Sequence, residues 1–145
     1  MSASYGPRPV EPFPLIPVER TFDGLYGLEI LEAGAERVVA RVAVTDAVRQ
    51  PRGLVHGGLF ATMAESMASL ATARAVAADG MTAMGLSNQT SFLRPIVDSA
   101  HVHATAHRRH RGRTTWIWDV EIADDAGRLC ALCRMTIAVR LPPGA

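Results

Sequence analysis

The chain has no lysine and only two cysteines among its 145 residues, and these scarcities already disfavour several classes of protein. All 15 basic residues are arginine, and 14 acidic residues balance them to a formal net charge of +1. Proteins that bind nucleic acid or anionic membranes usually carry a broad excess of positive charge, so we expect neither partner. No uncharged apolar run approaches the roughly 18 residues of a membrane span, and the first residues lack the pattern of a secretory signal. We therefore expect a cytoplasmic protein.

The cysteines and histidines do not form a convincing metal site. Cys130 and Cys133 fall in RLCALCRMTIAV, which is typical of a strand. Residues three apart on a strand point to opposite faces, so we expect two buried thiols with neither a shared metal nor a disulfide. His101, His103 and His107 share one face of a predicted strand, but no cysteine or carboxylate accompanies them there. Contact with solvent or with another subunit is the favoured interpretation, and we expect no metal.

Composition predicts one compact domain. The sequence is 48% hydrophobic and 20% charged, which is ordinary for a globular protein of this length. Five prolines in the first seventeen residues predict an extended arm outside the core. The predicted organisation is a proline-rich arm over residues 1–18, a single domain over residues 19–141 and a short tail over residues 142–145.

Hydrophobic periodicity predicts one long helix and six strands. The helix runs from about His56 to Ala78 and ends at Asp79-Gly80. A short helical or turn segment precedes the strands at about residues 19–25. Alternating residues predict strands at 26–33, 37–45, 81–94, 100–108, 114–123 and 128–140. This order favours an α+β architecture in which an antiparallel sheet wraps around the helix.

Glu65 is the only charged residue between Gly57 and Ala73, a stretch rich in Leu, Phe and Met. Burying an isolated carboxylate is costly, so its retention favours a chemical role. The alternative is a glutamate on the solvent side of the helix, paired with an arginine. Polar residues recur at helical spacing and predict a narrow polar stripe that faces a cleft or another subunit. Its members are Thr62, Glu65, Ser66, Ser69 and Thr72.

Two motifs and one spaced acid resemble a known family. The motifs are Gly53-Leu-Val-His56-Gly57-Gly58 and Ser91-Phe-Leu-Arg-Pro95, and the acid stands nine positions after His56. Together they resemble the hotdog-fold acyl-CoA thioesterases, specifically the PaaI-like branch with its phenylacetate-pathway and 4-hydroxybenzoyl-CoA enzymes. The similarity covers roughly residues 22–139. It implies a hotdog fold and hydrolysis of an acyl-CoA thioester to a free acid and CoA, with no cofactor beyond the CoA of the substrate.

The resemblance also implies catalytic residues. The Gly57 amide at the helix N-terminus would polarise the thioester carbonyl, with Gln50 and His56 nearby. Glu65 would act as nucleophile or as general base for water, and Ser69 would orient it. Gly57 and Glu65 are about 12 Å apart along one helix, so the site needs two antiparallel helices from a homodimer. The family further suggests a dimer of dimers. Alternatively, His56 only caps the helix and the glycines only permit close packing.

Four arginines are candidates for binding the CoA phosphates. Arg109, Arg111 and Arg113 lie in a predicted hairpin, and Arg94 belongs to the second motif. A guanidinium group pairs well with phosphate oxygens. The alternative for this cluster is a solvated basic turn.

Two other functions are weaker. The hotdog hydratases use an aspartate five residues before their histidine, where this chain has Pro51. A non-catalytic acyl-CoA-binding protein would not need Glu65. The acyl group is predicted only as aryl or medium-chain, because a set of apolar residues suits either an adaptable pocket or an ordinary core. These residues are Phe60, Met63, Met67, Met81 and Met84.

Overall fold

A computed structural model describes residues 16–144 of the chain. The predicted arm at residues 1–18 lies outside this range except for its last three residues, and so does Ala145 of the predicted tail. The described part contains two α-helices, six strands and three short 3-10 helices. The helices are α1 (Phe22–Tyr26) and α2 (Gly57–Val76). The strands are β1 (Glu29–Ala33), β2 (Arg37–Ala43), β3 (Thr82–Phe92), β4 (His101–Arg111), β5 (Thr115–Ala123) and β6 (Leu129–Arg140).

The strands form one antiparallel sheet in the order β1-β2-β4-β5-β6-β3. Helix α2 packs on one face of this sheet and contacts every strand from β2 to β6. The predicted α+β architecture, a sheet wrapped around one long helix, is confirmed. Strand β3 follows α2 in the chain but pairs only with the last strand, so it forms one edge of the sheet while β1 forms the other.

The apolar side of α2 supplies one layer of the core. Met63 and Met67 are fully buried, as are the small residues Ala64 and Ala68, which let the helix approach the sheet closely. From the sheet, Trp116 and Trp118 fill the space opposite the helix. Alternate residues of β2, β4, β5 and β6 complete the core, as their predicted alternation requires.

Thr72 was assigned to the polar stripe, and that assignment is wrong. Its side chain is fully buried, and its hydroxyl donates to the Ala68 carbonyl at 2.8 Å. The same oxygen accepts from the Trp118 indole nitrogen at 2.9 Å. A polar side chain in the core is tolerated because both of its hydrogen-bonding functions are satisfied. Thr72 therefore ties the helix to the sheet instead of facing a cleft.

Two predicted strand boundaries differ from the structure by three residues. Strand β1 begins at Glu29 instead of residue 26, because Tyr26 ends α1 and Gly27 then turns the chain in a left-handed conformation with φ 78°. Strand β4 continues through Arg111, so the turn predicted at residues 109–113 is shorter. The strand can continue because the pairing between β4 and β5 shifts by one residue at Arg109, a β-bulge.

The cysteine and histidine predictions can be compared with the same structure. Cys130 and Cys133 are both free and buried, as expected. His103 does have a carboxylate beside it, contrary to the sequence interpretation, because its Nε2 lies 2.7 Å from Asp125. Within residues 16–144 no group of three metal-binding side chains is found.

Candidate active site

Four of the predicted catalytic residues are divided between two depressions beside α2, and His56 lies outside both. One, of about 410 Å³, holds Gln50 and Gly57 together with the second motif. The other, of about 530 Å³, holds Glu65 and Ser69. One copy of the chain therefore presents the two halves of the predicted site separately.

The first depression is built around the N-terminus of α2. The amides of the first helical turn have no acceptor within the helix, and the helix dipole places partial positive charge there. No bond from the Gly57 amide is found among the described residues. The Phe92 ring packs against this glycine so closely that a Cβ atom on residue 57 would lie 2.6 Å from it. A larger residue at position 57 would therefore displace the Phe92 ring.

A tight turn holds Gln50 at the rim of this depression. The Gln50 amide donates to the Leu54 carbonyl at 2.8 Å, and the Gly53 amide donates to the Gln50 carbonyl at 2.9 Å. Gly53 adopts a φ of 89°, a conformation that glycine reaches at little cost. These backbone bonds leave the Gln50 side chain available to the depression.

His56 caps the helix. Its Nδ1 accepts a hydrogen bond from the Gly58 amide at 2.9 Å, and its backbone has the extended conformation typical of an N-cap residue. The ring lines a third depression, beside Phe22, Tyr26 and Thr62, and not the one that holds Gln50. The capping role that was left open for His56 accounts for this geometry.

Glu65 lies exposed in the second depression, with Ser69 one turn further along α2. Its side chain rests against β3, where a Cβ atom at Gly85 would stand 3.8 Å from the Glu65 carboxylate. Within residues 16–144 the carboxylate has no ion pair and accepts no hydrogen bond. The alternative of a glutamate on the solvent side is therefore correct in its exposure, but no arginine pairs with Glu65 in that range. A carboxylate without such a partner is available to a ligand or to water.

The second depression contains a carboxylate that sequence analysis missed. Asp23 of α1 lines it, and its Oδ1 accepts hydrogen bonds from the Tyr26 hydroxyl at 2.7 Å and the Ser66 hydroxyl at 2.6 Å. Asp23 is distant from Glu65 in the chain and belongs to no recognisable motif. Only the polar stripe, through Ser66, gave any indication of this cluster.

The four arginines do not form one cluster. Arg94 is exposed at the rim of the first depression. Arg109 pairs with Asp119 at 3.0 Å, whereas the Arg111 guanidinium lies 5.0 Å from the centre of the Trp116 ring. Trp116 faces the helix, and Asp119 belongs to the alternating outward set of β5, so these arginines lie on opposite faces of the sheet.

Arg109 already forms an ion pair with Asp119. Hydrogen bonds from Arg134 and Arg109 hold the pKa of the Asp119 carboxyl below its ordinary value. The interaction of Asp119 with Arg134 is the stronger of the two, with bonds of 2.7 and 2.9 Å. Arg113 is exposed in the turn itself. A single phosphate-binding cluster built from all the predicted arginines is therefore not present in one chain.

The apolar residues predicted for an acyl pocket do not lie together in the structure. Met63 and Met67 are fully buried and belong to the core, the alternative that the sequence left open. Phe60 lines the first depression, while Met84 is 60% exposed on β3. The second depression is lined on its apolar side by other residues, namely Phe22, Leu70, Ala73 and Ala83.

Comparison with known proteins identifies the family. Residues 52–131, which include His56, Gly57 and Glu65, match the family model described as the thioesterase superfamily. The chain belongs to the thioesterase superfamily. It is a thioester hydrolase with the hotdog fold, as the motifs predicted. No helix within the described residues is long and apolar enough to cross a membrane.

Two relatives of this thioesterase extend the comparison in sequence. A Mycobacterium tuberculosis protein, provisionally named an esterase, is 38% identical over 86% of this chain and 89% of its own length. The 1,4-dihydroxy-2-naphthoyl-CoA hydrolase of Listeria monocytogenes is 33% identical over 79% of this chain and 91% of its own. Both similarities span most of each protein, so they concern the whole domain.

Solved structures support the same assignment. A Staphylococcus aureus thioesterase, determined with a Gln→Ala and with a Glu→Ala substitution, gives TM-scores of 0.77 and 0.78 at 30% identity. These comparisons cover 81% and 83% of this chain and 97% and 98% of that protein. The Escherichia coli PaaI protein from the phenylacetic acid degradation operon gives a TM-score of 0.71 at 25% identity, covering 83% of each chain. The predicted resemblance to the PaaI-like branch is confirmed.

Proposed function

We propose that this thioesterase hydrolyses aryl- or medium-chain acyl-CoA to a free acid and CoA, at active sites that two copies of the chain share. The observation that carries the proposal is the division of the site. Gly57 and Glu65 stand about 12 Å apart along α2, in separate depressions. One thioester carbonyl cannot reach both within a single chain.

The free edge of β3 supports a dimer that would bring these halves together. Strand β3 is eleven residues long, carries no charged side chain, and leaves Met84 and Leu86 each 60% exposed. Its outer edge presents unpaired backbone groups, which favour pairing with another strand. Two β3 strands paired antiparallel across a two-fold axis would set their α2 helices side by side in opposite directions. Gly57 of one copy would then approach Glu65 of the other. A dimer of dimers remains part of the same proposal.

The helix N-terminus is suited to stabilise the charge that develops on the thioester oxygen. The Gly57 amide would donate to that oxygen, and the Gln50 side chain offers a second donor at the rim of the same depression. The helix dipole adds a favourable field at this end of α2. His56 contributes by holding the first turn through its cap to the Gly58 amide.

Glu65 would supply the catalytic carboxylate. As a general base it takes a proton from water while the water oxygen attacks the carbonyl carbon, and the C–S bond then breaks to release CoA thiolate. As a nucleophile it attacks the carbonyl carbon, the C–S bond breaks to release CoA thiolate, and water then hydrolyses the resulting anhydride to free acid and the Glu65 carboxylate. Ser69, in the same depression, would orient the carboxylate or the water. Transfer of oxygen-18 from labelled water into Glu65 during a single turnover would identify the nucleophilic route.

Two comparisons support the substrate class and the residues. The Listeria relative is named for an aryl-CoA ester. In the Staphylococcus aureus thioesterase, the replaced glutamine and glutamate stand 15 positions apart, and Gln50 and Glu65 have the same spacing here. For the CoA phosphates, Arg94 is the best placed of the predicted arginines because it lines the depression that holds Gly57. Arg111 and Arg113 remain secondary candidates, and Arg109 is engaged by Asp119.

Subunit mixing tests the shared site directly. Glu65→Gln and Gln50→Ala should each lower thiol release from an aryl-CoA by at least about 100-fold. If the two variants are mixed in equal amounts and exchange subunits, half of the dimers carry one intact site. Activity should then recover to roughly a quarter of the wild-type value.

A matched control uses two residues from the same half of the site. Mixing Glu65→Gln with Ser69→Ala creates no intact site, so no activity should appear beyond that of the Ser69 variant. Recovery in both mixtures, or in neither, would contradict the proposed sharing. Acyl-CoA binding without any thiol release by the wild-type protein would instead favour the non-catalytic alternative.

A further inference from the structure

We propose that Asp23 is a specificity-determining residue that excludes acyl groups carrying a carboxylate of their own. The inference rests on the proposed function, because it concerns the acyl end of the same substrate. It concerns a residue outside both sequence motifs, on the short helix α1, which the fold brings against the middle of α2.

Asp23 and Glu65 line the same depression. They are joined through Ser66, the residue that follows Glu65 on α2, whose hydroxyl donates to Asp23 Oδ1 at 2.6 Å. Because Arg94 is proposed to hold the CoA at the first depression, a thioester whose carbonyl meets Glu65 would direct its acyl group along the remaining walls of the second. Those walls are Asp23 and a set of uncharged residues, namely Phe22, Thr62, Ser66, Ser69, Leu70, Ala73 and Ala83.

The Asp23 side chain is held in place. The Tyr26 hydroxyl donates to its Oδ1 at 2.7 Å, and burial raises the pKa of Tyr26, so the phenol keeps its proton and remains a donor. Helix α1 itself is packed tightly, since a Cβ atom on Gly24 would lie 2.7 Å from the Glu19 Cα. Asp23 therefore cannot easily move away from a ligand that enters the depression.

The charge of Asp23 is not neutralised by the wall. Its hydrogen bonds all go to Oδ1, and within residues 16–144 no donor is found for Oδ2. No arginine or histidine is among the described residues that line the depression. An acyl carboxylate would meet two negative charges there, and Coulomb repulsion in a partly enclosed site is stronger than in bulk water. An uncharged acyl group of equal length meets no such repulsion.

A matched pair of substrates and a nearly isosteric variant test this inference. Hexanoyl-CoA and adipyl-CoA have the same number of carbons, and only the second ends in a carboxylate. Asp23→Asn removes the charge and keeps an oxygen that can accept from Tyr26 and Ser66. We expect the wild-type kcat/KM to favour hexanoyl-CoA by at least about tenfold. The variant should narrow this ratio by about fivefold or more, chiefly through faster hydrolysis of adipyl-CoA.

Asp79→Asn is the control, because it removes the same charge from a position after α2 that does not line the depression. This variant should keep the wild-type ratio. High salt should reduce the wild-type preference and have less effect on Asp23→Asn, because salt screens charge repulsion. An unchanged ratio in Asp23→Asn, or an equal change in Asp79→Asn, would overturn the inference.

Binding measurements separate this inference from the proposed function. Dissociation constants for both esters are measured by calorimetry on Glu65→Gln and on the double variant with Asp23→Asn. If no variant and no wild-type protein releases thiol, the proposed function fails, yet the ratio of the two constants still decides the role of Asp23. A ratio that the Asp23 change leaves unaltered in this binding assay rejects the inference independently of catalysis.

Discussion

The two edges of the sheet are built in opposite ways. Strand β1 has five residues, and its glutamates pair with arginines of β2. Strand β3 has eleven residues and no charge at all. Both edges carry a bulged leucine that is substantially exposed, Leu31 at 50% and Leu86 at 60%. Short length and charge are the usual protections against unwanted strand pairing, so β1 is protected and β3 is open.

This difference shows which edge is suited to an interface. A long, uncharged, partly apolar edge strand is an aggregation hazard in a monomer, and a natural protein retains one when a partner covers it. The open edge is also the one that contacts Glu65, through Gly85. Association at β3 and assembly of the active site are therefore expected to be coupled.

The largest effect should come from charging the open edge. Leu86→Lys places a cation at the bulge of β3 and should block strand pairing, giving a monomer whose kcat/KM is at least about 100-fold lower. Leu31→Lys is the matched change at the bulge of β1. It should leave the oligomeric state and the activity unaltered. Sedimentation and thiol release on both variants decide the comparison. An active Leu86→Lys monomer would mean that each chain has a complete site of its own.

Removing one polar side chain from each edge strand should have a smaller effect on stability and activity. Asn88 of β3 faces inward and donates to the Ala61 carbonyl of α2 at 2.8 Å, one helical turn before Glu65. Asn88→Ala should lower the free energy of unfolding by roughly 1–2 kcal/mol and reduce kcat, because that turn leads into Glu65, the proposed catalytic carboxylate. Glu32→Ala on β1 removes only an exposed ion pair with Arg37 and should change stability by less than about 0.5 kcal/mol.

Denaturant titrations at one fixed protein concentration check this second comparison, since association adds to apparent stability. Equal losses in the two variants would show that the inward bond from Asn88 has no special weight. A loss of stability without any loss of kcat would limit Asn88 to a structural role.

Much of this architecture could be predicted from the sequence, because periodicity reports which face of each element is buried. The long helix and the six strands followed from it, and the ends of α2 were correct within two residues. Errors arose where one residue changed the local pattern. The predicted strand β4 ended at residue 108 because the alternation stops there, but the bulge at Arg109 lets the strand continue to Arg111. The same bulge places Arg109 and Arg111 on opposite faces of the sheet.

The candidate site was predictable only where it is local in sequence. Gln50, Gly57 and Glu65 belong to one segment with recognisable spacing. Asp23 reaches the same depression as Glu65 through tertiary packing alone, and no pattern announces such a contact. Thr72 shows the opposite error. Its spacing on α2 matched the polar stripe, but its side chain lies in the core, where its hydroxyl accepts a hydrogen bond from Trp118. Spacing locates a helix face but does not identify the partner of each residue on it.

The smallest expected effect is a difference between the two edges in how their contribution to stability depends on pH. Hydrogen bonds from Arg41 lower the pKa of Glu29 on β1 below its ordinary value of 4.5. A lowered pKa in the folded state means that this pair stabilises the protein above about pH 4.5, and that the contribution is lost as the pH falls through the folded-state value. Strand β3 has no titratable side chain and adds no such dependence. Glu29→Gln should therefore melt slightly below the wild type at neutral pH, and the difference should shrink as the pH falls below about 4.5, as thermal melts across this range would show. If the difference in melting temperature between the variant and the wild type stays constant with pH, the pair of Glu29 and Arg41 stabilises the fold through packing and not through charge.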